Sequence, residues 1–412
     1  MPNYSLTWIS RDGKLLLTAR ILRTFGYGFL SIILAIYLKI LGFNDLLIGL
    51  LLALTLINSI IFTLIASFYA DRVGRRRTLI IYAILMSISG TIFVFTDNYI
   101  AMALAALIGT INVTGSETGA FLSIEQAILP QTVKDSKKRN TIFGLYNMLG
   151  TFAMSAGILV AGVPNILQEY GLTQVNSIKP LFALYVIIGI AVAAIYFSLT
   201  EEIETSKKNV IQKSLHSTLS PKSKNIVAKL SALFAVDSFA GGFVIQGIVS
   251  FWFFTKFGAN LTTLSYIFSV AGILTAFSFI VATKLADRIG LINTMVFTHI
   301  PSNILLILVG FSPTLPLAIG FYLARMALSQ MDVPARQSFV VTVVNEDERT
   351  TAAGITNVSR NIAQTISPSL TGYILYSLPA LASPFVLGGI LKIIYDISLY
   401  LNFRNIKPKV EN

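Results

Sequence analysis

Long apolar runs separated by short polar segments follow one another along almost the whole chain. The run from Leu46 to Phe68 is typical, with only amide and hydroxyl residues among its aliphatic and aromatic side chains. A helix needs roughly 20 apolar residues to cross the hydrocarbon core of a bilayer, and this run is long enough. The pattern predicts an all-α membrane protein with twelve transmembrane helices, over about 15–41, 46–68, 78–96, 99–129, 140–163, 180–200, 228–257, 261–283, 292–311, 315–342, 351–377 and 384–403.

The composition of the 412-residue chain narrows the range of functions. Hydrophobic residues make up 54% and charged residues only 12%, against about a quarter charged in soluble domains. There is no cysteine and there are only two histidines, so thiol chemistry and cysteine-ligated metals are excluded. We therefore predict no enzyme activity and no cofactor. The net charge of +12 lies in loops and not on a soluble domain, which argues against a nucleic-acid partner.

Lysine and arginine residues fall almost entirely on one side of the predicted helices. The loops on that side include both chain ends, the arginines at 75–77 and the lysines of a central polar segment. The opposite loops hold only Lys39, Lys179 and Lys256. Because basic residues stay on the cytoplasmic side of a membrane, both termini are predicted to lie in the cytoplasm.

Two similar halves flank the central polar segment. The motif ADRVG at 70–74 returns as ADRIG at 286–290, and RNTIFGLYN at 139–147 returns as RTTAAGITN at 349–357. Each half has an even number of helices, so the two halves share one orientation and form parallel repeats, as in some transporters. We predict an N-terminal six-helix bundle, a cytoplasmic linker and a C-terminal six-helix bundle, over 1–200, 201–227 and 228–412.

The loop after the second helix reads D-R-x-G-R-R, which resembles the signature of the major facilitator superfamily. The matching residues are Asp71, Arg72, Gly74, Arg75 and Arg76, and the weaker second copy keeps Asp287, Arg288 and Gly290. The resemblance covers the whole chain and implies that this loop is a gating motif, in which Asp71 holds the second helix against the eleventh. The preference of basic residues for the cytoplasmic side would explain the arginines of this loop. It does not explain why an aspartate recurs at the same position in both copies of the motif. Ser67 stands where the family usually has glycine, so helix packing at this corner is expected to differ.

Charged residues inside the predicted spans indicate where a solute could bind. A charge at the bilayer centre costs about 3 kcal/mol, so each one needs a reason. The resemblance implies that the first, fourth, seventh and tenth helices line the central cavity, and most of these charges lie there. Two of these helices also look broken, by glycines around Glu117 in NVTGSETGAF and by Pro334 in SQMDVPARQ. Broken helices at corresponding places in two repeats are typical of transporter sites.

Two groups of candidate residues follow from this pattern. We expect a cavity for substrate or protons at Glu117, Asp332, Arg336, Arg325 and Tyr27. We expect charges that pair at the inner gate at Arg20, Arg23, Glu125, Asp237 and Arg360. The alternative is that all these charges form salt bridges that close the inner mouth and never touch a substrate. Lys392 and Asp396, four residues apart on the last helix, are expected to pair with each other, and His299 is expected to be a packing residue.

The predicted function is a secondary active transporter, coupled to protons, that moves a small solute across a prokaryotic cytoplasmic membrane by alternating access. A membrane carboxyl that loses and regains an arginine partner is suited to carry such protons. The arginines would suit a carboxylate or phosphate, but they could equally all be paired internally. A facilitative uniporter, a multidrug exporter and, from another class, a non-transporting receptor or scaffold remain as alternatives. We expect a multi-pass monomer whose partners are the solute, protons and the lipid bilayer.

Overall fold

A computed structural model describes residues 8–115, 119–133, 139–204, 219–345, 348–377 and 380–405. Within these residues the chain is helical almost throughout, and its one β pairing is a single bridge between Ile9 and Val133. The prediction of an all-α protein is confirmed. The helices are α1 Arg11–Ile40, α2 Asp45–Val73, α3 Arg75–Phe95, α4 Tyr99–Ile108, α5 Ala120–Ile128, α6 Arg139–Val160, α7 Val163–Glu169, α8 Gln174–Phe197, α9 Pro221–Gly242, α10 Gln246–Phe257, α11 Leu261–Ile289, α12 Leu291–Phe311, α13 Leu315–Leu328, α14 Asp332–Thr342, α15 Arg349–Ser377 and α16 Ser383–Phe403.

Nine stretches of helix in the described part of the chain are long and apolar enough to cross a membrane. The other three predicted spans differ from these in ways that the sequence explains. The fourth span is divided between α4 and α5 and the tenth between α13 and α14, at the predicted breaks. Pro334 lies in the first turn of α14, where its missing N–H costs nothing. The eleventh span, α15, is long enough but carries many polar side chains.

The chain groups into two compact units that differ slightly from the two predicted bundles. Unit 1 comprises 1–42, 54–214 and 260–266, and unit 2 comprises 43–53, 215–259 and 267–412. The first residues of α2 therefore group with unit 2. The predicted linker over 201–227 is described only in part, since 205–218 lie outside the described residues and α9 already begins at Pro221.

Small residues let neighbouring helices approach closely in unit 1. α1 packs against α6 at Gly28 and Gly157, where an added Cβ would overlap the backbone of the facing helix. α3 packs against α8 at Gly90 and Gly189, where an added Cβ would overlap a facing side chain. Lipid is as apolar as the side chains, so close van der Waals packing of this kind is what holds membrane helices together.

The same pairs of helices pack in unit 2. α9 packs against α15, where a Cβ on Gly242 would lie 2.7 Å from the Gln364 carbonyl oxygen. α12 packs against α16, where a Cβ on Gly389 would overlap Ile307. In each half the first predicted span therefore packs on the fifth and the third on the sixth, which agrees with an internal repeat.

Candidate functional site

A fully buried ion pair lies inside unit 1. Arg23 of α1 and Glu125 of α5 each have 0% of their side-chain surface exposed. The two Arg23 nitrogens lie 2.7 Å from Oε2 and 3.2 Å from Oε1 of Glu125. The hydroxyls of Tyr146 and Tyr196 donate to the same carboxylate at 2.5 and 2.7 Å. The Glu125 carboxylate thus accepts four hydrogen bonds, which compensate for its removal from water.

Aromatic rings surround the arginines of this pair. Arg20 donates to the Tyr146 hydroxyl at 3.1 Å, and its guanidinium lies 4.0 Å from the centroid of that ring. The Arg23 guanidinium lies 4.3 Å from the centroid of Phe121. The structure therefore brings together three of the five expected gate charges, although whether they close a gate stays a prediction. We name as the Glu125 network the residues Arg20, Arg23, Glu125, Tyr146 and Tyr196.

Unit 2 contains a second buried cluster with more charges. Asp237 of α9 lies 2.6 Å from Lys392 Nζ of α16 and 3.4 Å from Arg336 Nη1 of α14. Arg360 Nη1 of α15 lies 3.7 Å from the same carboxylate. Arg336 Nη1 also lies 2.8 Å from Oδ2 of Asp332, one turn earlier on α14. These five residues form the Asp237 cluster. In it three cations face two carboxylates, and Arg336 contacts both of them.

The structure corrects the expected pair of Lys392 and Asp396. Lys392 reaches Asp237 instead, whereas Asp396 accepts a hydrogen bond from Asn303 at 3.0 Å. His299 Nδ1 lies 2.8 Å from the other oxygen of Asp396, so His299 is a polar partner and not only a packing residue. A spacing of four residues permits a local pair, but α9 and α12 bring stronger partners into the same interior.

Two arginines of unit 2 keep nitrogen atoms without a hydrogen-bond partner among the described residues. Arg325 Nη1 lies 3.2 Å from the Met326 sulfur, and its Nε has no partner. Arg360 Nη1 has only the 3.7 Å approach to Asp237, which is beyond hydrogen-bond distance. Arg325, which the sequence places in the cavity, is therefore the least compensated cation of this region.

The gating motif spans the end of α2 and the start of α3. The side chains of Asp71 and Arg72 lie outside the described residues. The backbone N–H groups of Arg75 and Arg76 donate to the carboxylate of Glu204 at 2.7 and 3.1 Å. A carboxylate at this position is stabilised by the positive end of the helix dipole. The sequence interpretation assigned Glu204 to the linker and missed this contact.

The second copy of the motif lies at the junction of α11 and α12. Asp287 and Arg288 are exposed there, and Gly290 precedes α12, which begins without a side-chain cap. Among the described residues, the second copy therefore shows no counterpart of the contact that Glu204 makes with the first copy. Among the residues that the structure describes, no three His, Asp or Glu side chains are grouped to hold a metal ion.

A small pocket lies in unit 1 beside the break between α4 and α5. Tyr27, which the sequence places in the cavity, lines this pocket. Glu117 falls outside the described residues, but in the sequence it lies between Thr114 and Gly119, which both line the pocket. The polar residues of the break were not singled out from the sequence, although the glycines around them were.

Solved structures of transporters share this fold. A D-xylose–proton symporter matches with a TM-score of 0.73 and 15% identity, covering 94% of this chain and 96% of that one. A nucleoside transporter, NupG, matches with a TM-score of 0.74 and 13% identity, covering 95% of this chain and 100% of that one. At these identities the likeness shows the fold alone.

Comparison of the sequence itself gives the family. An uncharacterised membrane protein of the yeast Saccharomyces cerevisiae is 26% identical over 432 aligned positions, covering 98% of this chain and 96% of the relative. The family model of the Major Facilitator Superfamily matches residues 16–368, which is most of the chain and includes parts of both units. The earlier resemblance is thereby confirmed, and the chain belongs to the Major Facilitator Superfamily.

Proposed function

We propose that the chain is a proton-coupled secondary active transporter that moves a small solute by alternating access. Membership of the superfamily and the transporter neighbours support transport and not catalysis. The D-xylose–proton symporter among those neighbours supports coupling to protons. The proposal includes cytoplasmic termini and a monomeric state, which rest on the sequence alone. It also includes a prokaryotic cytoplasmic membrane, which the sequence alone supports, since one relative comes from yeast.

The sharing of Arg336 between two buried carboxylates is the observation that carries the coupling. Besides Arg336, Asp237 also faces the cations Lys392 and Arg360. Asp332 is paired with Arg336, at 2.8 Å. Asp332 is only 3% exposed. If Arg336 moves fully to Asp237 or to a solute, Asp332 becomes a buried carboxylate without a cation, and uptake of a proton would neutralise that charge. Such an exchange of partners links proton uptake to a rearrangement of the cluster.

The gating role is a second part of the proposal. The Glu204 carboxylate ties the segment after α8 to the start of α3, directly beside the motif residues Asp71 and Arg72. A contact made from backbone N–H groups and one carboxylate can break without leaving a buried charge, because Glu204 lies near the polar linker. We assign to Glu204 the role of a latch on the gating motif in one state of the carrier.

Transport of solute and protons should be measured together in proteoliposomes with a pH-sensitive dye inside. A panel of monosaccharides, nucleosides and organic anions is added outside, and the wild type is expected to move protons whenever it moves a solute. The variant Asp332→Asn is expected to keep solute exchange between the two sides but to lose the proton movement. Exchange needs no net proton transfer, so it reports that the variant is folded and still binds.

Asp97→Asn is the matched control. Asp97 is an acidic residue of unit 1. Its side chain is 49% exposed, in contrast to that of Asp332, and it pairs with Lys179 near a helix end. It should leave proton coupling unchanged. A solute that crosses with no proton movement in the wild type would show a uniporter and contradict the coupling.

A further inference from the structure

A buried group of one histidine, one asparagine and one aspartate lies in unit 2 beside the Asp237 cluster. His299 and Asn303 are one turn apart on α12 and share a face of that helix, and α12 packs against α16, which carries Asp396. His299 Nδ1 lies 2.8 Å from Oδ1 of Asp396, and Asn303 Nδ2 lies 3.0 Å from its Oδ2. All three residues are buried. The acid therefore depends on these two partners and not on water.

Asp396 differs from the acids of the two networks described above in the cation that faces it. Glu125, Asp237 and Asp332 each pair with a lysine or an arginine. Among the described residues, only His299 could supply a positive charge to Asp396 at salt-bridge distance. Lysine and arginine ordinarily stay charged at physiological pH, whereas histidine gains or loses its charge between about pH 5 and 8. The charge balance of the His299–Asp396 pair therefore depends on pH.

A single proton makes the His299–Asp396 pair neutral. With that proton the pair is either an imidazolium beside a carboxylate or a neutral imidazole beside a carboxylic acid. Without it, a neutral imidazole donates its N–H to a carboxylate, and the pair carries one negative charge. A buried charge without a counter-charge is costly, so loss of the proton requires a cation from elsewhere.

Asn303 is suited to both protonation states of Asp396. In the structure its amide nitrogen donates to the carboxylate. Turned by half a rotation, the same amide presents its oxygen, which can accept a hydrogen bond from a carboxylic acid. An aliphatic side chain could bond to neither form. The position therefore accommodates a proton that comes and goes.

Titratable and charged side chains surround the pair on the helices packed about α12 and α16. They are Lys392 and Tyr395 on α16, Asp237 on α9, Arg325 on α13, and Asp332 and Arg336 on α14. Of these, Asp237 and Lys392 interact electrostatically with Asp396. Lys392 lies 2.6 Å from Asp237 and one turn before Asp396, so its side chain can serve either acid. Lys392 is thus the cation available when the pair loses its proton.

We infer that the pair of His299 and Asp396 is a proton-binding site of the carrier, separate from Asp332. While the pair holds its proton, Lys392 stays with Asp237. When the proton leaves, Lys392 turns to Asp396. The inference rests on the proposed proton-coupled transport and adds to it a site that sets the pH at which the Asp237 cluster rearranges.

The movement of Lys392 would extend to the acids assigned to coupling. Without Lys392, Asp237 keeps Arg336 at 3.4 Å and Arg360 at 3.7 Å. Attraction of Arg336 toward Asp237 takes it away from Asp332, which is the exchange of partners proposed above. The proton on the His299–Asp396 pair thus decides whether that exchange begins, whereas Asp332 takes up the proton that is transported.

The test is nuclear magnetic resonance of the full chain in detergent, with nitrogen-15 in histidine. The chain has two histidines, so the variant His216→Gln leaves the imidazole signals of His299 alone. These signals distinguish the imidazolium from the two neutral tautomers. We expect His299 to change its protonation state between about pH 5 and about pH 9. We expect the change to be lost in Asp396→Asn, because a buried imidazolium would then have no counter-charge.

Lys392→Met tests the link to the Asp237 cluster. It should move the midpoint of the His299 titration by about one pH unit, because a charge one turn from Asp396 is removed. The matched control is Lys256→Met, a lysine of the same unit that bonds to the Gly310 carbonyl oxygen at 2.9 Å. It should leave the midpoint unchanged. Lys392→Met keeps the pair itself, so it gives an answer even where Asp396→Asn does not fold.

Three results would overturn the inference. They are a His299 that keeps one protonation state throughout the range, a titration that Asp396→Asn leaves intact, and a midpoint that Lys392→Met does not move. None of them decides the transport proposal, because the titration is measured without solute or flux. A carrier that moves protons with its solute but never titrates His299 would retain the proposed function and lose this site. A uniporter in which His299 titrates as expected would contradict the coupling and retain the proton-binding site.

Discussion

The Glu125 network of unit 1 and the Asp237 cluster of unit 2 hold buried carboxylates in different ways. Glu125 accepts four hydrogen bonds, from one arginine in bidentate geometry and from two tyrosines. Asp237 instead faces three cations at 2.6, 3.4 and 3.7 Å, and one of these is shared with a second acid. The first arrangement is saturated, whereas the second contains long contacts and a choice of partner.

Under the proposed function, this difference would give the two repeats different roles. Both repeats keep the same helix pairs, packed at small residues. Glu125 is fully buried and is held by one bidentate arginine and two tyrosine hydroxyls, so the Glu125 network suits a permanent anchor. A carboxylate among several cations can redistribute them at small cost, which suits a site that changes during transport. Under the proposed function, the same fold would thus hold one fixed and one rearranging group of buried charges.

The largest expected effect comes from removing the anchor. Glu125→Ala leaves Arg23 buried without a counter-charge, which should lower the free energy of unfolding by about 3–5 kcal/mol. Chemical unfolding in detergent measures this, with Glu169→Gln on the exposed face of α7 as a control expected within about 0.5 kcal/mol. Adding Arg23→Met to Glu125→Ala should recover part of the loss. If Glu125→Ala were as stable as wild type, the anchor interpretation would be wrong.

The next effect compares the two acids of the Asp237 cluster. Asp237→Asn leaves Lys392 and Arg360 without a carboxylate and should cost about 3 kcal/mol of unfolding free energy. Asp332→Asn should cost only about 1 kcal/mol, because Arg336 still has Asp237. The same unfolding assay ranks them. Equal losses for both variants would show that Arg336 is not shared as the distances suggest.

A smaller effect is expected at the latch. Glu204→Gln keeps one of the two acceptor oxygens but removes the charge at the start of α3, so stability should fall by about 0.3–1 kcal/mol. The transport rate should change more than stability, since the contact lies beside the gating motif. Glu202→Gln, two residues earlier and exposed, is the matched control. A transport rate equal to that of wild type would remove Glu204 from gating.

The smallest effect is a pH dependence in unit 2, at Glu348 in the loop before α15. Hydrogen bonds from the Ser223 hydroxyl and from the backbone N–H groups of Ser220 and Asn345 lower the pKa of Glu348 from 4.5 to about 2. Its folded pKa lies below its unfolded value, so its stabilisation is present above about pH 4.5 and is lost as the pH falls toward 2. The Tm difference between wild type and Glu348→Gln should therefore shrink over that window. A difference that stays constant with pH would contradict the assignment.

Local patterns predicted the helices well but could not assign partners to the charges. Apolar runs of this length specify the spans because a helix satisfies its own backbone hydrogen bonds within lipid, and glycines marked the break before α5. Tyr146 and Tyr196 were invisible as partners of Glu125, because an aromatic residue in an apolar span looks like packing. The Lys392 spacing favoured a local pair, and only tertiary packing brings Asp237 within reach. Glu204 looked like part of a solvated linker. The backbone N–H groups that donate to its carboxylate lie 128 and 129 positions away in the sequence.

The buried pair of Arg23 and Glu125 has a consequence for the sequences that relatives of this protein can adopt. A change of either residue alone leaves one charge buried without its partner, at a cost of about 3–5 kcal/mol. Relatives should therefore keep both charges or replace both. An alignment of relatives would then show positions 23 and 125 varying as a pair.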